Sequence, residues 1–311
     1  MKIVFNSLNS GLGNNGGSQT IIKCVETIEQ LGHQCNIVAT VDNFTWFDHK
    51  PVISYIPLDT DIIVATACTT VENTLSSRIE KKAWYIRGHE SWACNEDRLG
   101  KYYNAGLFNI VNSKNLKQKL ASYGADSIVI YQGLDFNLWK DGELRSNNKI
   151  RIGCLYNKKS TKRWIDFIEL ARILGTEKYE YIGIGNNVRN DPFLTYFKSN
   201  ASIKELNDIY SSCHIWFAPT ELEGLHNIPM EAALCGCLIV CNDSTLNGMG
   251  FDYAFNDNTA MVYEARNIEH AADLIKHPNW AVIERMNNHL RNNIGSREKN
   301  MKKLIELFKK L

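Results

Sequence analysis

Short runs rich in valine and isoleucine alternate with stretches of helical periodicity, and this alternation constrains the fold more than any other feature of the chain. Strand, helix and strand in repetition is the pattern of βαβ units, which assemble a parallel sheet with helices on its faces. Residues 2–7 read as the first strand and 17–32 as the first helix. In that helix Ile21, Ile22, Val25, Ile28 and Leu31 recur at helical spacing, and Gly32 suits a C-terminal cap. Further strands are predicted at 35–40, 61–66, 83–87, 108–112 and 127–131, with a helix at 114–123.

The segment 141–149 is polar and weakly periodic, which reads as a linker, and beyond it the pattern restarts. Strands follow at 149–156, 179–184, 214–218 and 238–241, with helices at 162–174, 203–212, 229–234 and 268–276. A chain of 311 residues accommodates two such α/β halves, placed at 1–140 and 149–295. A last helix over 296–311 carries Leu304, Leu307, Phe308 and Leu311 on one side and is expected to pack back toward the first half.

Composition narrows the function classes. A 44% apolar and 22% charged chain has the balance of a folded globular protein, and a net charge of +1 gives no broad field for polyanions. The nine cysteines are odd in number and sit mostly in apolar runs, so they read as reduced core residues of a cytoplasmic protein. Cys235, Cys237 and Cys241 bracket a strand without a second pair at zinc spacing, and no metal is expected there. No apolar run approaches the ~18 to 20 residues of a membrane span, so neither export nor a crossing is expected.

In open parallel sheets, ligands bind beyond the carboxyl ends of the strands, where loops and helix N-termini converge. The most informative stretch with that address starts at His214 and ends at Val240. It reads as strand, acidic glycine loop, helix from Pro229, then strand. The free N–H groups and dipole at such a helix start favour an anion, and a diphosphate suits them. Glu223 and Glu231 are separated by seven residues, with Gly224 after the first and Ala232 after the second.

This spacing resembles the retaining glycosyltransferases of family 4. The resemblance implies the GT-B fold, with two Rossmann-like domains facing each other across a cleft. It also implies transfer of a sugar from a nucleotide-sugar donor of UDP or GDP type to a hydroxyl acceptor. Glu231 would then hold the ribose hydroxyls and Glu223 would lie by the transferred sugar, with Gly224, Leu225, His226 and Asn227 lining the donor. His226 departs from the family, which more often has a small residue there. The opening of the second half is similar too: Lys162 matches a diphosphate-binding lysine. Asn157 stands where an arginine is expected, leaving Lys158 or Lys159 to supply that charge.

In the first half, Gly16 and Gly17 match the loop that approaches donor phosphate and acceptor. His89, flanked by Arg87 and Glu90, occupies the place of a histidine often near the reacting centre. Glu223, Lys162 and His89 are therefore the candidate catalytic residues, without a metal or other cofactor. A saccharide or lipid-linked glycan is the expected acceptor, a hydroxymethylated DNA base an alternative, and the lysines of the last helix offer at most weak membrane-surface contact. Two other readings compete. A sugar-binding protein without turnover would use the same residues. The run from Gly11 to Gly16 also matches the dinucleotide pattern G-x-G-x-x-G of NAD-dependent oxidoreductases. Against that last reading, Gly11 comes four residues after Ser7, and Asp42 lies beyond the ~20-residue offset of the ribose acid. The pair Asp59 and Asp61, which mimics a metal-binding aspartate motif, precedes its strand and lies at the wrong sheet edge.

Overall fold

The β-branched runs form two six-stranded sheets in which every strand pair is parallel. The computed structural model describes residues 1–145 and 148–311. It divides them into one unit of Met1–Gly133 with Gly295–Leu311 and a second of Leu134–Ile294.

The first unit runs β1 (Lys2–Asn6), α1 (Gly16–Gln30), β2 (Gln34–Val38), β3 (Ile62–Ala65), α2 (Val71–Ser76) and β4 (Lys81–Ile86). It continues with α3 (Glu96–Tyr103), β5 (Phe108–Val111), α4 (Lys114–Ala121) and β6 (Ile128–Val129). The strand order is β2-β1-β3-β4-β5-β6. Successive side chains of a strand face opposite ways, so each strand feeds two cores. Ile3, Phe5, Ile62, Val64 and Tyr85 pack with Ile21, Val25 and Ile28 of α1, whereas Trp84, Ile86 and Val111 pack with Leu99 of α3 and Leu116 and Leu120 of α4. Burying each such side chain contributes about 1.5–3 kcal/mol.

The second unit runs β7 (Ile150–Tyr156), α5 (Trp164–Leu174), β8 (Tyr179–Gly185), β9 (Tyr196–Ser199), α6 (Ile203–Ser212) and β10 (Ile215–Ala218). There follow α7 (Asn227–Leu234), β11 (Leu238–Asn242), α8 (Met249–Asp252), β12 (Met261–Tyr263), α9 (Ile268–Lys276) and α10 (Val282–His289). Its order is β12-β11-β10-β7-β8-β9, with Ile152, Cys154, Ile215, Phe217, Leu238 and Val240 in the core beneath α5 and α9. The chain winds outward from β7 in one direction and then from β10 in the other, so the reversal lies between those two neighbours. In the first unit the same reversal lies between β1 and β3.

The last helix, α11 (Arg297–Lys310), belongs to the first unit, where Met301, Leu304, Ile305 and Phe308 join the α1 core. Leu307 is only partly buried and Leu311 is exposed, so the apolar stripe is shifted from the one read in the sequence. The expected linker also behaves differently, because its near end is tied to the second unit. Trp139 is buried against Tyr210, Ser211 accepts from the Gly142 amide at 3.0 Å, and Arg145 donates to the carbonyls of Cys213 and Cys235 at 3.0 and 2.6 Å. Residues 146 and 147 of that linker lie outside the described residues. All nine cysteines are buried and unbridged. Among the described residues no helix is long and apolar enough to cross a membrane, and no group of three metal-ligating side chains forms.

Gly133 and Gly32 both adopt positive φ, at +74° and +85°, but in different surroundings. A Cβ on Gly133 would meet the Arg297 backbone at 2.5 Å, whereas one on Gly32 would meet nothing within 4 Å. Gly32→Ala is therefore expected to cost only the left-handed backbone term of about 1–2 kcal/mol. Gly133→Ala adds an overpacking cost of about 1–3 kcal/mol at the start of α11. Calorimetric melting of the two variants reads the difference as a lower melting temperature for Gly133→Ala, and equal losses would contradict it.

Candidate functional site

The reversal of strand order lies between β7 and β10, and the carboxyl ends of two such strands are the usual ligand address in these sheets. Two segments emerge there. Residues 157–162 follow β7, and residues 219–226 follow β10 and lead into α7.

Their shape is fixed by neighbouring side chains and backbone. The Glu221 amide donates to the Thr161 carbonyl at 2.9 Å, and the Glu223 amide donates to the Leu246 carbonyl at 3.1 Å. The buried amide of Asn242 donates to the Pro219 and Thr220 carbonyls at 2.6 and 3.2 Å, and the buried Asn247 amide donates to Thr220 and Asn242. Tyr253 donates its hydroxyl proton to the His226 carbonyl at 2.8 Å. A loop carrying so many satisfied carbonyls holds its acids in defined places.

Lys162 Nζ donates to Glu223 Oε1 in an ion pair in which both side chains are largely shielded from solvent. His226 Nε2 lies 3.6 Å from the same oxygen. Lys162, Glu223 and His226, three residues picked from the sequence, thus converge on one point. The His226 side chain is buried, and the residue stands at the N-cap of α7. Burial, reinforced by Lys162 and opposed by Glu223, lowers its pKa to about 4, so the ring is neutral at pH 7.

Among the described residues, neither ring nitrogen of His226 has a hydrogen-bond partner, nor has the buried Oδ1 of Asn227. An unsatisfied buried polar group costs about 1–3 kcal/mol, so three such atoms at one helix start mark a place where a ligand atom improves the structure. The helix begins at Asn227, two residues before the Pro229 start read from the sequence, because Pro229 is tolerated anywhere in the first turn. Gly224 and Leu225 are buried within the loop, and Glu231 is half-buried one turn into α7, where its charge is felt by Tyr210 and Cys235.

The basic run before Lys162 does not join this cluster. Asn157 Oδ1 caps the Lys159 amide at 2.9 Å in a turn, and the side chains of Lys158 and Lys159 are exposed. Lys162 itself ends a short 3-10 turn and α5 begins at Trp164, so it precedes the helix that the sequence pattern began with it.

Four charged residues went unrecognised in the sequence. Arg163 follows Lys162 with left-handed backbone, φ 55°, and its guanidinium donates to Asp166 at 2.6 and 3.2 Å. It also lies 3.7 Å from Glu221, whose carboxylate accepts from Arg266 at 2.7 and 3.3 Å. The Arg266 bond and the nearby Arg163 charge hold the Glu221 carboxyl below its usual range, whereas burial raises Asp166 despite Arg163. The acid at 221, two residues before Glu223, was the available signal; nothing in an arginine's identity announces a left-handed backbone.

The first unit gathers the remaining candidates at its own carboxyl edge. Gly16 opens α1, whose N-cap Asn15 accepts from the Ser18 amide at 2.9 Å. Arg87 is half-buried and donates to the Gly17 carbonyl and, at 2.5 Å, to the Thr66 carbonyl, joining the first turn of α1 to the loop after β3. A Cβ at Gly17 would meet that guanidinium at 2.8 Å. His89 is held on both sides of its ring: Nδ1 pairs with the Tyr103 hydroxyl at 3.0 Å and Nε2 with Glu96 at 2.9 Å, while Tyr123 stacks on it. Glu90 accepts from the Cys68 amide at 2.6 Å. Asp42 accepts from His49 at 2.9 Å and the Phe44 amide at 3.2 Å, and Asp59 and Asp61 anchor Lys2 at the opposite sheet edge.

No family model matches the chain, and no curated protein matches it in sequence. Solved structures do match. Anabaena HepE in complex with UDP and glucose superposes with a TM-score of 0.79 and 13% identity, covering 100% of both chains. Sucrose-phosphate synthase from Thermosynechococcus elongatus gives 0.77 at 12% identity, covering 100% of this chain and 98% of that one. A glycosyltransferase from Rickettsia africae gives 0.75 at 15% identity, covering 99% and 98%. At these identities the likeness establishes the fold, two Rossmann-like domains of the GT-B type.

The depressed pKa of His226 has a consequence for stability. The unfolded chain takes up its proton below about pH 6.5, whereas the folded ring does so only near 4. Stability is therefore intact above 6.5 and falls with pH toward 4. Between pH 7 and 4.5 the native protein is expected to lose about 2 kcal/mol more than His226→Gln. Urea unfolding across that range measures the gap, and parallel curves would contradict the assignment.

Proposed function

We propose that this chain is a retaining glycosyltransferase that takes a sugar from a UDP- or GDP-linked donor and delivers it to a hydroxyl of a saccharide or lipid-linked glycan. The observation that carries this reading is the meeting of Lys162, Glu223 and the unsatisfied His226 and Asn227 atoms at the N-terminus of α7. An anionic diphosphate suits that helix start and Lys162, and a sugar hydroxyl suits Glu223. The neutral His226 ring is able to donate to a phosphate or sugar oxygen from one nitrogen and accept at the other.

Glu231, further along α7, takes the ribose hydroxyls in this reading. The presence of UDP and glucose in the HepE complex supports a UDP-type donor. Leaving-group charge is stabilised by Lys162 and the helix dipole without a required metal. The second unit is then the donor domain, and the first, with Gly16, Gly17 and His89, serves the acceptor. Because both nitrogens of His89 are already engaged by Tyr103 and Glu96, its contribution is to orient other groups.

Isothermal titration with UDP, UDP-glucose, GDP-mannose and NAD separates this function from the oxidoreductase alternative. A uridine or guanosine nucleotide is expected to bind, and Glu231→Ala is expected to weaken it about tenfold or more, since hydrogen bonds to charged groups contribute about 1.5–3 kcal/mol. Preferential binding of NAD, or nucleotide affinity unaffected by Glu231→Ala, would overturn the reading. A product with inverted anomeric configuration would overturn the retaining assignment alone.

A further inference from the structure

Five non-glycine residues have positive φ among the described residues, and two of them are arginines directed at a single carboxylate. Arg163 lies in the loop after β7, and Arg266, φ 69°, lies in the loop after β12. Side chains with a Cβ avoid this conformation, and a left-handed residue that is not glycine persists where surrounding contacts fix it. Here the contacts are ionic. Arg266 reaches Glu221 Oε1 at 2.7 Å, and Arg163 sits 3.7 Å from the same oxygen while gripping the buried Asp166 of α5.

Glu221 is tied through its backbone as well. Its amide donates to Thr161, the residue before Lys162, and its carbonyl accepts from Ser244 Oγ at 3.1 Å. The loop after β12 is held in turn by the Ala265 amide donating to Asp243 Oδ1 at 2.8 Å. One side chain thus connects the loops after β7, β10 and β12, and two of these carry Lys162 and Glu223.

We infer that Glu221, clamped by Arg163 and Arg266, is the positioning residue that sets the Lys162 and Glu223 loops in register for the donor. The inference rests on the proposed function for its ligand, but its geometry is independent of that function. Glu221 lies two residues from Glu223 and has its own cationic partners, so it braces the site without touching the sugar. Arg266 is exposed and its partner is Glu221, so replacing it disturbs the brace while leaving the core intact.

The test uses Glu221→Gln and Arg266→Met in the full chain, with Gly175→Ala as a control. Gly175 has φ +70° with open space around its Cβ position, so that variant loses stability away from the brace. UDP titration and amide hydrogen exchange are measured for each. Both brace variants are expected to bind UDP at least fivefold more weakly and to exchange the amides of 161–163 and 221–224 at least tenfold faster. Gly175→Ala is expected to lower the melting temperature without either change. Unchanged exchange in those segments would overturn the inference, and so would UDP affinity falling equally in the control. If the native protein binds none of UDP, UDP-glucose and GDP-mannose while exchange responds as stated, the brace stands and the donor assignment fails.

Discussion

A parallel sheet has no free choice about where it opens. When the chain winds outward from β7 on one side and from β10 on the other, the connections after those neighbouring strands leave in opposite directions. A gap remains at the carboxyl edge that no connection crosses, and everything in the candidate site follows from it. The loop after β7 delivers Lys162 and the loop after β10 delivers Glu223, His226 and the start of α7. Their ion pair joins segments 61 residues apart in sequence.

The charged side chains around that gap are largely paired with one another. Lys162 is matched by Glu223, Arg163 by Asp166, and Arg266 by Glu221, while His226 stays neutral by burial. Charges held on partners need little side-chain reorganisation to meet a ligand, and preorganised dipoles are what stabilise charge developing on a leaving group. The atoms without partners are the polar ones at the α7 start, which is where such a site would spend ligand binding energy. In the proposed function the nucleotide diphosphate fills that place.

Much of this was legible in the sequence because it depends on periodicity. Valine and isoleucine runs reported ten of the twelve strands among the described residues to within a few residues, and the glutamate spacing located the loop before α7. The strands at Tyr196–Ser199 and Met261–Tyr263 escaped because they lack such runs: the first has neither valine nor isoleucine and the second a single valine. Helix α3 escaped because Gly100 and a run of charges dilute its apolar face to Leu99, Tyr102 and Tyr103. The surroundings of His226 were not legible, since Tyr253, which bonds its carbonyl, and Lys162, whose charge acts on its ring, arrive from other loops. Nor was the role of Glu221, which depends on two backbone conformations that arginine ordinarily avoids.

The central claim is that a nucleotide sugar binds at the start of α7, held by Lys162, Glu223 and Glu231. A crystal structure of the protein soaked with UDP tests it most directly. The account requires ribose density at the Glu231 carboxylate and diphosphate density over the His226 and Asn227 amides. Nucleotide density lying instead along the glycine loop from Gly11 to Gly17, with α7 unoccupied, would contradict it.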